Sequence, residues 1–167
     1  MSDKITIKQA KEEDINIVEE ILLDAVNHFG IWSKERISWA GLSTEFKPND
    51  FHIAYIDENP VGCMALQDCA PFFWSEKTEK GEALYLRRLA VKRCAGGRNF
   101  SKYLLEYAVD KCREKNIKTL RLDTAADKEK LMRLYKSYGF VCEKREIRKI
   151  GEKEYDLAYF VLYIDDL

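Results

Sequence analysis

The chain has 167 residues, of which 46% are apolar and 12% aromatic, and its formal net charge is −1 at pH 7. That length points to one domain, residues 1–167, with a sizeable core, and the composition excludes a disordered chain. The near-neutral charge gives no support to broad electrostatic binding of nucleic acid or of an anionic membrane.

No apolar run approaches a membrane span, and the N-terminus Met1-Ser2-Asp3-Lys4 lacks a signal-peptide core. The cysteines are Cys63, Cys69, Cys94, Cys112 and Cys142, an odd number with no C-x-x-C pair. Disulfide and zinc frameworks are not expected, and no metal site is assigned. Buried structural thiols in a cytoplasmic setting fit this pattern.

Residues 5–7 read as a short first strand. Residues 12–29 form a helix, because Ile15, Val18, Ile21, Leu22, Ala25 and Phe29 recur at helical spacing. Gly30 stops it. A second, shorter helix is expected over 33–42. Strands follow over 51–56 and 61–67, joined by the turn residues Asp57-Glu58-Asn59-Pro60. Residues 70–81 are a loop carrying Pro71, Phe72, Phe73 and Trp74. A strand over 84–91 leads through a glycine-bearing turn into a helix over 101–115.

Residues 119–123 are a strand and 127–138 a helix, with Leu131, Leu134, Tyr135 and Tyr138 on one stripe and Gly139 at the C′ position. A hairpin over 141–149 and 155–164 turns at Gly151. Its second strand is apolar at nearly every position and should be central, covered on both faces. No repeat or linker interrupts this order. Strand–helix–strand units among hairpin-connected strands indicate an α/β fold, a mixed sheet with helices on both faces.

The strand over 84–91 breaks phase. Leu84 and Leu86 are even, Leu89 and Val91 odd, and the change falls at Arg87-Arg88. One inserted residue, a β-bulge, restores the alternation; an exposed edge strand with an irregular pattern is the other reading. The turn that follows places backbone N–H groups at a helix N-terminus, a ready site for a phosphorylated ligand.

Bulged strand, glycine turn, long helix, a strand ending in Asp123, and a helix closing on Tyr135-Lys136-Ser137-Tyr138-Gly139-Phe140 together resemble the GNAT superfamily of N-acetyltransferases. The likeness is clearest over 84–140. It implies a mixed, mostly antiparallel sheet of about six to seven strands with a bulged fourth strand. The family's phosphate turn, R/Q-x-x-G-x-G/A, falls on Gly96, Gly97, Arg98, Asn99, Phe100 and Ser101, counted back from Leu104-Leu105. Gly96, Asn99 and Ser101 depart from the pattern. Asn tolerates positive φ and Ser is a good N-cap, so a turn that works through main-chain N–H groups can accept them.

Carried over, the turn holds the pyrophosphate of acetyl-CoA, the acyl donor. The main chain of Leu89, Ala90 and Val91 meets the extended arm and the thioester carbonyl, and Arg93 and Arg98 add charge. Tyr135 takes the place of the family's tyrosine general acid. Glu82 is the first choice for general base and Asp123 the second, with His28 and His52 the only imidazoles. Phe72, Phe73, Trp74, Phe29 and Trp32 either wall the acceptor pocket or belong to the core. The implied activity is N-acetylation of an amine on a small molecule, peptide or protein, without nucleic-acid or membrane partners and with a homodimer in view. An acyl-CoA-binding sensor that has lost turnover is the alternative.

Overall fold

The computed structural model describes residues 4–29, 32–74, 81–95 and 100–166. The strands are β1 (Ile5–Gln9), β2 (Phe51–Ile56), β3 (Asn59–Gln67), β4 (Ala83–Val91), β5 (Thr119–Ala125), β6 (Val141–Ile150) and β7 (Lys153–Tyr163). The helices are α1 (Ile15–Phe29), α2 (Lys34–Ile37), α3 (Trp39–Leu42), α4 (Phe100–Glu114) and α5 (Glu129–Tyr138). The strands order as β1-β2-β3-β4-β5-β7-β6 in one seven-stranded sheet. β1–β2, β2–β3, β5–β7 and β6–β7 pair antiparallel, and β4–β5 pairs parallel. This is the mixed, mostly antiparallel sheet that the GNAT resemblance implies. Contacts divide the chain into two compact units, Met1–Leu66 with Arg88–Tyr107, and Gln67–Arg87 with Ala108–Leu167.

In the first unit, Val18, Ile21, Leu22 and Ala25 of α1 are buried with Ile53, Cys63, Ala65 and Ala90 of β2, β3 and β4. Alternation turns Gly62 to the opposite face, where a Cβ would stand 3.3 Å from Leu104 of α4 and 3.0 Å from the Ala90 carbonyl oxygen. Helices therefore cover both faces of these strands. The helix expected over 33–42 is two turns, α2 and α3, broken at Ser38, which is extended at φ −70° and ψ 153°. The Ser38 hydroxyl donates to the Glu35 carbonyl at 2.9 Å and accepts from the Gly41 N–H. A Cβ at Gly41 would lie 2.3 Å from the Glu35 carbonyl oxygen, so the two turns approach closely only over glycine.

In the second unit, β7 runs between β5 and β6, and its residues from Leu157 to Leu162 are all buried, as a central strand requires. α5 ends at Gly139, whose φ of 110° is the left-handed C′ geometry expected of it. The β6–β7 turn passes through Gly151 at φ 63°.

All five cysteines are free thiols. Cys63 and Cys112 are buried, but Cys69 and Cys94 are exposed, against the expectation of buried thiols. They lie just after β3 and in the 3-10 turn Arg93–Ala95, connecting segments at the surface.

Candidate active site

Expected site residues fall in both units. In the first, Arg88 interrupts β4 with φ 55°, the left-handed residue that a bulge at the phase break calls for. The residues buried after the break are Arg88 and Ala90, while Leu89 and Val91 are half-buried. The Arg88 guanidinium explains this: it lies 5.3 Å from the Trp32 ring and 5.5 Å from the Phe46 ring, with Glu45 at 3.8 Å. Trp32 thus packs on the α1 side of the core.

The parallel β4–β5 ladder comprises Ala83↔Thr119, Leu84↔Leu120 and Tyr85↔Arg121, so Leu89 and Val91 lie past its last pair. The Lys92 N–H then donates to the Val61 carbonyl at 2.7 Å, and the 3-10 turn Arg93–Ala95 follows. Arg93 is exposed, and its main-chain N–H donates to Asp24 Oδ2 at 2.8 Å. Gly96, Gly97, Arg98 and Asn99 lie outside the described residues. Phe100 is buried and Ser101 half-buried in the first turn of α4, a 15-residue helix. The unpaired N–H groups and dipole of a helix this long favour an anion at its start. The donors therefore fit a phosphorylated ligand.

In the second unit, Tyr135 is 5% exposed, with its ring 5.7 Å from Phe140 and 5.8 Å from Phe160. Among the described residues no hydrogen bond engages its hydroxyl. Burial, and then the negative charge of Asp123, push the phenol well above its ordinary range, so it stays protonated. Asp123 Oδ2 accepts the Trp74 indole N–H at 2.9 Å. The Trp74 ring stands edge-on to Tyr85 at 5.3 Å and to Tyr159 at 5.1 Å, with the Arg121 guanidinium 5.8 Å away. The Phe73 carbonyl accepts from Arg148 at 2.9 Å and lies 3.0 Å from the Tyr159 hydroxyl. Tyr159 also hydrogen-bonds Glu146, which holds that carboxyl below the usual carboxylate range. Phe72 is 69% exposed.

Glu82 is exposed and precedes the first residue of β4, with its carbonyl taken by Thr119 N–H at 3.2 Å and Thr119 Oγ1 at 2.7 Å. Nothing in these contacts brings the Glu82 carboxylate to Tyr135, whereas Asp123 acts on Tyr135 electrostatically. His52 is buried, with Nδ1 3.0 Å from the Tyr107 hydroxyl, a structural setting. Sequence reasoning missed Asp24, although Glu20, Asp24 and His28 stand four apart on one amphipathic helix. It named Trp74 as a wall of the acceptor pocket or part of the core, not as a partner of Asp123.

A family model described as acetyltransferase (GNAT) family matches residues 16–140. The chain belongs to the GNAT acetyltransferase family. Among curated proteins, no sequence matches. Solved GNAT structures share the fold. A probable acetyltransferase from Staphylococcus epidermidis superposes with a TM-score of 0.76 at 18% identity, over 96% of this chain and 99% of that one. The ribosomal-protein-S18-alanine N-acetyltransferase of Escherichia coli gives 0.71 at 19% identity, over 96% and 94%. The acetyltransferase yncA from Salmonella typhimurium, solved with acetyl-CoA, gives 0.69 at 18% identity, over 97% and 95%.

Proposed function

We propose that this GNAT acetyltransferase moves an acetyl group from acetyl-CoA to a primary amine of a small molecule, peptide or protein, by direct attack. Residues 1–167 act as one domain in this reading. The observation that carries it is Tyr135, a buried phenol held protonated beside Asp123 on the helix where the family sets its acid. The acetyl-CoA in the Salmonella structure and the alanine acceptor named for the Escherichia coli enzyme support the same chemistry.

Main-chain groups of Leu89, Ala90 and Val91 would hold the extended arm, as a strand past the end of its ladder can hold an extended ligand. The first turn of α4 at Phe100 and Ser101 would hold phosphate, with Gly96, Gly97, Arg98 and Asn99 before it and Arg93 adding charge. Acetyl-CoA supplies an activated thioester. An amine must be neutral to attack, and Asp123 is the better base for that proton than Glu82. A strand N–H stabilises the charge that gathers on the thioester oxygen. Tyr135 donates its hydroxyl proton as a hydrogen bond to the departing sulfur. A phenol held above its ordinary pKa of about 10 favours such donation over full transfer to a thiolate near 8.5.

Release of free thiol from acetyl-CoA across a panel of amines tests this reading. At least one amine should support turnover. Coenzyme binding without turnover on any amine would favour an acyl-CoA sensor instead.

A further inference from the structure

Glu20, Asp24 and His28 share one face of α1, four residues apart. That face meets the chain just after β4 at three points. Lys92 Nζ lies 2.8 Å from Glu20 Oε1. Asp24 Oδ2 accepts the Arg93 main-chain N–H at 2.8 Å. Arg93 Nη1 lies 3.2 Å from His28 Nδ1. Arginine can only donate, so Nδ1 accepts and the ring proton sits on Nε2, 3.7 Å from Asp24 Oδ1.

These links differ in kind. The Lys92–Glu20 pair joins two long side chains, with Glu20 64% exposed, and such pairs contribute little. The Asp24 bond is short, charge-assisted and made to main chain, so it constrains the backbone itself. It falls one residue beyond Lys92, whose N–H still bonds β3 at Val61. α1 is anchored behind it, with Val18, Ile21, Leu22 and Ala25 in the core. Arg93 is therefore tied to a helix whose other face is anchored in the core.

We propose that Asp24 is a positioning residue for coenzyme binding. Through the Arg93 N–H it fixes the main chain where β4 ends and the turn Arg93–Ala95 begins. This rests on the reading of the β4–α4 segment as the phosphate-holding turn. The sign of the effect distinguishes positioning from charge. A carboxylate near phosphates weakens binding by repulsion, so loss of its charge alone should tighten binding. Loss of its positioning bond should weaken it.

The test measures acetyl-CoA affinity by calorimetry, and steady-state KM and kcat, for the wild type, Asp24→Ala and Asp24→Asn. Asp24→Ala should weaken acetyl-CoA binding about tenfold, the worth of one charge-assisted hydrogen bond. The acceptor KM and saturating kcat should hold. Asp24→Asn keeps an oxygen acceptor and should recover most of the loss. Tighter binding in both variants, or unchanged binding in Asp24→Ala, overturns the proposal while leaving the function intact. Failure of the wild type to bind acetyl-CoA overturns both.

Discussion

Replacement of Tyr135 by phenylalanine should separate catalysis from folding. The ring contacts with Phe140 and Phe160, at 5.7 and 5.8 Å, survive in the variant. The lost hydroxyl has no hydrogen-bond partner among the described residues, so its removal changes stability by less than about 1 kcal/mol. A preorganised hydrogen bond to charge developing on the leaving sulfur is worth about 10²–10³ in rate, or roughly 3–4 kcal/mol of barrier. Tyr135→Phe should therefore lower kcat at least about 100-fold, with the melting temperature and acetyl-CoA affinity close to wild type. Single-turnover thiol release reads the chemical step directly, free of product release. A single-turnover rate within about threefold of wild type refutes the assignment. The pH profile adds a second check. Burial and Asp123 raise the phenol above its ordinary range, so ionisation of Tyr135 should not lower the rate below pH ~10.

Trp74→Phe keeps a ring between Tyr85 and Tyr159 but removes the N–H that holds Asp123. It should lower kcat about tenfold with the acetyl-CoA KM unchanged, and an unaltered kcat removes this contact from catalysis. Gly62→Ala forces a Cβ to 3.0 Å from the Ala90 carbonyl and 3.3 Å from Leu104. Overpacking of that kind costs about 1–3 kcal/mol, seen as a melting temperature lower by roughly 3–10 °C; an unchanged melt refutes the close approach. Stability should also fall at alkaline pH. Burial raises the Cys63 thiol, raises Cys112 to about 12 and Tyr159 to about 12. A raised folded value means that the unfolded chain releases its proton first. The stabilisation is full below about pH 8 and is lost as pH rises toward the folded values, by at most about 1.4 kcal/mol per pH unit for each group. Cys63→Ala should flatten that slope in urea melts between pH 8 and 11, and an undiminished slope refutes its share.

What was legible in the sequence followed from periodicity and turn chemistry. The stripe of α1, the Gly139 cap and the fully apolar β7 each state a local preference that packing obeys. What was not legible depends on distant partners. The break at Ser38 brings Gly41 against the Glu35 carbonyl, an approach that helical periodicity does not encode. The Asp24–Arg93 and Trp74–Asp123 bonds join residues 69 and 49 positions apart. Glu82 adjoins the first residue of β4, and its carbonyl there accepts from Thr119, a partner 37 positions away that no local pattern encodes. Burial of Arg88 was equally hidden, since Trp32 and Phe46 lie far away in sequence.

Three features coincide at Arg87-Arg88. The apolar phase changes there, Arg88 takes a left-handed φ, and the boundary between the two compact units falls between these residues. A non-glycine residue in that conformation costs about 1–2 kcal/mol, and cation–π contact with Trp32 and Phe46 offsets about that much. The arginine is thus matched to a distortion that the fold keeps. Leu89, Val91, Arg93 and Asp24 belong to the first unit, and Tyr135, Asp123 and Trp74 to the second. If the first set holds the coenzyme and the second does the chemistry, variants should sort accordingly. Asp24→Ala should act on acetyl-CoA affinity, and Tyr135→Phe and Trp74→Phe on kcat. A kinetic pattern that crosses this line, such as a Trp74 variant acting only on coenzyme KM, would show that the roles are not partitioned at Arg88.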